Sequence, residues 1–202
     1  GGKITGVATK RGTIRAKKVA VVTSGHTSNI MEMAGVRMPV ESVCLQALVS
    51  EPIKPVIDCV VMANTVHGYM SQSDKGELVI GGGADPYNNY SQRGSFPAIE
   101  HTVSALVETF PIISRLRMLR QWGGIVDMTG DRSPIISMTD VGGLYVNCGW
   151  GTGGWKSIPG SGFVFADTIA NDRPHPIAAP FGLNRFTEGR FIDESVAAAV
   201  AH

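Results

Sequence analysis

Residues 144–162 read Leu-Tyr-Val-Asn-Cys-Gly-Trp-Gly-Thr-Gly-Gly-Trp-Lys-Ser-Ile-Pro-Gly-Ser-Gly, and an apolar run from Phe163 to Ala170 follows at once. Leu144-Tyr145-Val146-Asn147 reads as a strand and the glycine-crowded stretch after it as a loop. The pattern from 163 to 171 predicts a helix. Glycine lets main-chain N–H groups approach a ligand closely, and a helix start adds partial positive charge. Lys156 sits in the middle of this stretch. The arrangement suits a flat, negatively charged ligand with a cation beside it. The same glycines would also serve a tight structural turn, and a loop lysine with no ligand is simply solvated.

Upstream, Lys18-Val19-Ala20-Val21-Val22-Thr23 is a short, largely β-branched run of the kind found in buried parallel strands. Ser24-Gly25-His26-Thr27-Ser28 reads as a turn, Asn29 to Ala34 as a short helix, and Gly35 as its stop. Strand, small-residue turn and helix is the unit that carries nucleotides in α/β folds. Gly25 and His26 are therefore candidates to face one, although His26 would equally well hydrogen-bond the backbone. Ahead of this unit, residues 3–21 open as a hairpin turning at Lys10-Arg11-Gly12.

The middle of the chain reads differently. Leu45–Ser50, Val60–Asn64, Val66–Ser71 and Glu77–Gly81 predict strands of an antiparallel meander, with Asp74-Lys75-Gly76 as a turn. Residues 84–96 predict a polar surface loop. Ile99, Val103, Leu106, Val107 and Phe110 have helical spacing, closed by Pro111. A second short helix is expected from Ile113 to Leu119 and a strand from Leu119 to Val126. From Arg173 the chain reads as an extended tail ending in an Ala-rich segment, 196–201.

The fold class expected is mixed α/β: a parallel nucleotide-binding part plus an antiparallel substrate-domain sheet with helices. The expected domains are 1–35, part of a nucleotide-binding domain; 36–122, a substrate domain; 123–171, the return with its glycine-rich loop; and 172–202, the tail. An antiparallel excursion inside a nucleotide-binding domain is the architecture of two-domain flavoproteins. No Gly-x-Gly-x-x-Gly follows the first strand. With a first residue that is not methionine, this absence makes a C-terminal half of a longer polypeptide the expectation; a processed complete domain is the alternative.

Composition excludes several function classes. The chain has 202 residues, 43% of them hydrophobic, enough for a sizeable core. Lys+Arg number 18 against 17 Asp+Glu, for a net charge of +1, so nothing electrostatic points to nucleic acid or an anionic membrane. No apolar run approaches the ~20 residues of a membrane helix, and a secretory signal pattern is missing. The three cysteines, Cys44, Cys59 and Cys148, are far apart, and no Cys-x-x-Cys or His-x-x-x-His pair suggests a metal. A reducing cytoplasm is the expected location.

The run Leu144 to Lys156 resembles the second flavin loop of the β subunits of heterotetrameric sarcosine oxidases. So do Trp122-Gly123-Gly124-Ile125-Val126-Asp127, Ser133-Pro134-Ile135-Ile136, Gln46-Ala47-Leu48-Val49-Ser50-Glu51, Lys75-Gly76-Glu77-Leu78-Val79-Ile80-Gly81, and the tail with Ala179-Pro180-Phe181 and Arg185-Phe186. The resemblance covers essentially the whole chain. It implies an FAD-dependent amine oxidoreductase of the D-amino-acid-oxidase-like superfamily. Such enzymes take a hydride from the N-methyl carbon of sarcosine, giving glycine and formaldehyde or passing the one-carbon unit to tetrahydrofolate. Partner α, γ and δ subunits, a covalently held FMN and electron transfer to oxygen with peroxide as product are implied as well. The histidine that links FMN is implied to lie outside this sequence, so none of His26, His67, His101, His175 and His202 takes that role. Related monomeric enzymes hold FAD through a cysteine near the position of Ile125 and activate oxygen with a lysine where Val79 stands. Noncovalent FAD is the consequence here, and the place of oxygen reduction stays open.

With the resemblance, Lys156 is expected to anchor the sarcosine carboxylate by a charge-assisted hydrogen bond and to stabilise negative charge on the flavin or oxygen. Gly151, Thr152, Gly153 and Gly154 are expected at the isoalloxazine or pyrophosphate, with Gly25 and His26 at FAD. His67 and Tyr69 alternate on one strand and so share a face. They are candidates for the sarcosine pocket, where an aromatic face suits a methylammonium group; a half-buried sheet pair is the plain alternative. Asp127 and Asp131 make no acid/base pair, and Asp131 reads as a turn cap. Two other functions stay open: a dehydrogenase of dimethylglycine or another secondary amine, and a non-catalytic docking domain. The 202 residues alone are expected to bind FAD weakly or not at all.

Overall fold

The computed structural model describes residues 2–63 and 68–192; the Ala-rich segment 196–201 lies outside the described residues. The chain divides into two compact units. One takes Gly1–Glu41 and the chain from Val126 on, the other Ser42–Ile125. The chain passes between them inside two long strands.

The first unit opens with the expected hairpin, β1 (Gly6–Thr9) paired antiparallel with β2 (Gly12–Arg15). Its sheet has three strands in the order β3 (Val19–Val21), β10 (Leu144–Cys148), β9 (Ile135–Met138). β10 runs parallel to β3, with Leu144 opposite Val19, and antiparallel to β9. Alternation along β10 builds two cores. Leu144, Val146 and Cys148 face one side with Val21, Ile135 and Met31 of helix α1 (Thr27–Glu32). Tyr145 faces the other with Ile136 and with Val164 and Phe165 of helix α3 (Gly154–Asn171). The β-branched run at 18–23 thus becomes a parallel strand, as its composition indicates.

The second unit carries a five-stranded sheet in the order β5 (Val61–Ala63), β6 (Gly68–Gln72), β7 (Glu77–Ala84), β4 (Val40–Pro52), β8 (Met118–Thr129). The meander β5-β6-β7 and the β7–β4 pair are antiparallel. Helix α2 (Phe96–Thr109) covers a core of Leu48, Met70, Leu78, Ile80, Leu106 and Ile113. It begins three residues before the periodic stretch because Pro97 sits in the first turn, where a missing N–H costs nothing. A second helix to Leu119 does not form. A 3₁₀ turn ends at Arg115, Leu116 is extended, and β8 already starts at Met118.

The loop at 84–96 is less exposed than its polarity suggests. Asp85 is buried and accepts from Gln46 Nε2 at 3.0 Å, Ser95 Oγ at 2.5 Å and Asn89 Nδ2 at 2.7 Å. Buried polar groups need such partners, and Gln46 on β4 supplies them from a strand far away in sequence. The tail is not simply extended either. Short 3₁₀ turns form at Ala179–Phe181 and Leu183–Arg185.

The largest departure concerns the glycine stretch. The helix expected from 163 starts nine residues earlier, at Gly154. Pro159 lies inside it, where it forfeits the hydrogen bond an N–H would make to residue 155 and crowds that carbonyl. Gly160 and Gly162 have open space where a side chain would stand, so neither marks a close approach to another chain segment. Packing of Val164, Phe165 and Thr168 against the sheet holds the helix against the poor propensity of its first turns. The loop proper is Gly149–Gly153, and Lys156 stands in the first turn of α3 rather than mid-loop.

Candidate functional site

Because β3 and β10 are parallel neighbours, their carboxyl ends open in the same direction. Ligands of open α/β sheets sit outside such ends. β3 leads into the 3₁₀ turn Ser24–His26 and β10 into Gly149–Gly153. Gly25, in the first turn, is buried. Ser24 has φ +47°, Gly149 +75° and Gly151 +51°. A Cβ on Gly149 would come within 2.6 Å of Thr129 Cγ2, and one on Gly151 within 2.9 Å of Met128 Sδ.

The glycine loop edges a cleft of about 160 Å³ with Met128, Pro134 and Lys156 among its walls. Lys156, Gly151, Thr152 and Gly153 are thereby brought together. Gly154 lies just behind, as the first residue of α3, its α-carbon side turned to Trp150. The indole of Trp150 is fixed by donation from Nε1 to Asn147 Oδ1 at 2.6 Å.

The N–H groups divide into two sets. Gly149, Gly151 and Gly153 spend theirs internally, on Asp127 Oδ2, on the Asp127 carbonyl and on the Trp150 carbonyl. No side chain caps α3. The N–H groups of the first helical turn have no intrahelical partner and are the donors this stretch could offer a ligand, together with Thr152. An uncapped 18-residue helix with a lysine in its first turn is a candidate site for an anionic group. The N–H groups of these three glycines hold the loop to Asp127 and to itself. Gly149→Ala is expected to destabilise the first unit by about 1–2 kcal/mol, since its φ is positive and a Cβ would stand 2.6 Å from Thr129 Cγ2. Urea unfolding of the variant checks this.

Asp131 does cap its turn, accepting from the Ser133 N–H at 3.3 Å. It also binds a partner that local sequence does not reveal. Arg185, 2% exposed, reaches Asp131 Oδ2 through Nε at 2.7 Å and Oδ1 through Nη2 at 2.9 Å. Its other donors go to the carbonyls of Ser133, Phe181 and Gly182, so all five N–H groups are used. Burial pushes the Asp131 carboxyl up. The hydrogen bonds and charge of Arg185, with the N–H groups of Ile192 and Ser133, outweigh burial and hold it below the usual carboxylate value.

Tyr69 lies on β6 in the second unit, with its ring over Gly81 of β7, where a Cβ would stand 2.5 Å from Oη. Burial pushes its phenol up. His67 falls outside the described residues. Burial, then the Asp127 carboxylate, push the Cys148 thiol well above its ordinary value. It is thus a protonated core residue and no nucleophile.

No helix among the described residues is long and apolar enough to cross a membrane. The sequence model of the FAD-dependent oxidoreductase family matches residues 1–168. The sarcosine oxidase subunit beta of Rhodobacter capsulatus is 68% identical over 202 residues, all of this chain and 49% of that protein. The Arthrobacter protein of the same name is 58% identical over 202 residues, 100% of this chain and 50% of its own length. The chain thus spans about half the length of the curated relatives it matches. The fold is also that of the L-proline dehydrogenase from P. horikoshii, with a TM-score of 0.82 at 24% identity over 93% of this chain and 51% of that one. A parallel strand pair, a glycine loop and an uncapped helix start, with the family match running through all three, place this chain in the FAD-dependent oxidoreductase family.

Proposed function

We propose that this chain is the part of a sarcosine oxidase β subunit that holds the flavin end of noncovalently bound FAD and grips the substrate. The observation that carries the reading is the uncapped start of α3, with Lys156 beside it, at the mouth of the Gly149–Gly153 loop. The donor set fits FAD: N–H groups for its anionic or carbonyl oxygens, and a glycine loop whose side-chain space is closed by Thr129 and Met128.

When bound, FAD supplies the hydride acceptor. Lys156 Nζ holds the carboxylate of the amino acid, which fixes where its N-methyl group lies. No carboxylate of the first unit's core is assigned as a base. Asp131 is committed to Arg185, and Asp127 to the N–H of Gly149 and the hydroxyl of Ser24. In this reading the substrate is oxidised as the neutral amine, from which hydride transfer needs no strong general base.

The full assignment extends to the intact assembly: glycine and formaldehyde or methylenetetrahydrofolate as products, an FMN linked outside this sequence, and electrons passed to oxygen as peroxide. It also includes α, γ and δ partner subunits and a cytoplasmic location. The test is oxygen uptake and peroxide formation by the intact complex. Both are expected with sarcosine. Flavin bleaching by sarcosine or dimethylglycine without oxygen uptake would instead make the protein a secondary-amine dehydrogenase.

A further inference from the structure

Asp127, near the end of β8, is 2% exposed, and among the described residues no cation pairs with it. Neutral donors hold its carboxylate instead. Oδ1 accepts from Ser24 Oγ at 3.2 Å, and Oδ2 from the Gly149 N–H at 2.5 Å. Its main-chain carbonyl accepts from the Gly151 N–H at 3.0 Å. One residue therefore ties the turn after β3 to the loop after β10, and grips that loop at both of its positive-φ glycines.

A buried polar side chain needs hydrogen-bond partners, and this one finds them in both turns. Asparagine has the same shape. Its Oδ1 would keep the Gly149 N–H, and its –NH₂ would donate to Ser24 Oγ, whose hydroxyl also accepts, so asparagine keeps both ties while alanine removes both. The forked side chain at position 127 is what joins the two turns.

We propose that the Asp127 carboxylate is the positioning residue that sets the Ser24–His26 turn and the Gly149–Gly153 loop in register for FAD. This rests on the reading of these turns as a flavin site. Asp127 touches neither FAD nor substrate in this scheme. It acts through the loop that brings Thr152 and the first turn of α3 to the ligand.

The test is FAD affinity of the intact enzyme after removal of the flavin, for the parent, Asp127→Ala, Asp127→Asn and Ser24→Ala. A destabilised control, Met38→Ala, removes packing from the core of the same unit without taking a donor or acceptor from either turn. Asp127→Ala is expected to raise the FAD dissociation constant about tenfold or more, Ser24→Ala to raise it less, and Asp127→Asn to stay near the parent value. The control should lower Tm while leaving affinity at the parent value. Unchanged affinity in Asp127→Ala overturns the inference and leaves the flavin reading intact. An equal loss in Met38→Ala also overturns it, because the effect would then be one of general stability. A parent enzyme that takes up no FAD overturns the flavin reading itself, and the inference with it.

Discussion

Replacing Arg185 by methionine is expected to cost the first unit about 3–5 kcal/mol, the usual penalty for stripping one partner from a buried ion pair. The loss is large because Asp131 remains, 2% exposed, with its charge unanswered. Three main-chain carbonyls lose a donor as well. The sign of the pH dependence identifies the cause. In the parent, the Asp131 carboxyl is held below its ordinary value. Its contribution to stability is therefore present above the ordinary carboxylate range and is lost as the pH falls through the lowered native value. In Arg185→Met the same carboxyl loses what opposed burial, and protonation relieves it. Urea-unfolding free energies of the two proteins should differ most near neutrality and converge in acid. A difference independent of pH would mean that lost packing against Phe186, whose ring lies 4.1 Å from the guanidinium carbon, dominates instead.

Lys156→Met should lower kcat/KM for sarcosine in the intact complex by about tenfold to a hundredfold, the ~1.5–3 kcal/mol of a hydrogen bond to a charged group. Flavin content should not change, because the donors assigned to FAD are main-chain N–H groups. A rise in KM with kcat preserved would assign the lysine to carboxylate binding alone. A fall in kcat as well would add stabilisation of charge that develops during the reaction. Unchanged steady-state kinetics would remove Lys156 from the site.

Where the period of hydrophobicity was clean, the fold was legible. The β-branched run at 18–23, the meander from 60 to 81 and the spacing of Ile99, Val103 and Leu106 each name their element. What local reading missed has two physical origins. In α3, helix-breaking residues at 159–162 are overruled by tertiary packing further along, so a helix start reads as loop and Lys156 is displaced from loop to helix. In the buried clusters, the decisive partners lie far apart in sequence. Arg185 and Asp131 are separated by 54 positions and Ser24 and Asp127 by 103. No local pattern marks either pair. The glycine loop and Lys156 were visible as a candidate anion site. That Gly151 and Gly153 spend their N–H groups inside the loop was not, because it depends on the main-chain path.

An experimental structure of the intact enzyme with FAD and a carboxylate-bearing, non-oxidisable sarcosine analogue tests the central claim most directly. The account predicts first-turn N–H groups of α3 within hydrogen-bond distance of FAD, about 2.7–3.2 Å, and Lys156 Nζ against the carboxylate of the analogue. FAD bound away from the Gly149–Gly153 loop, with Lys156 extended into water, would contradict it.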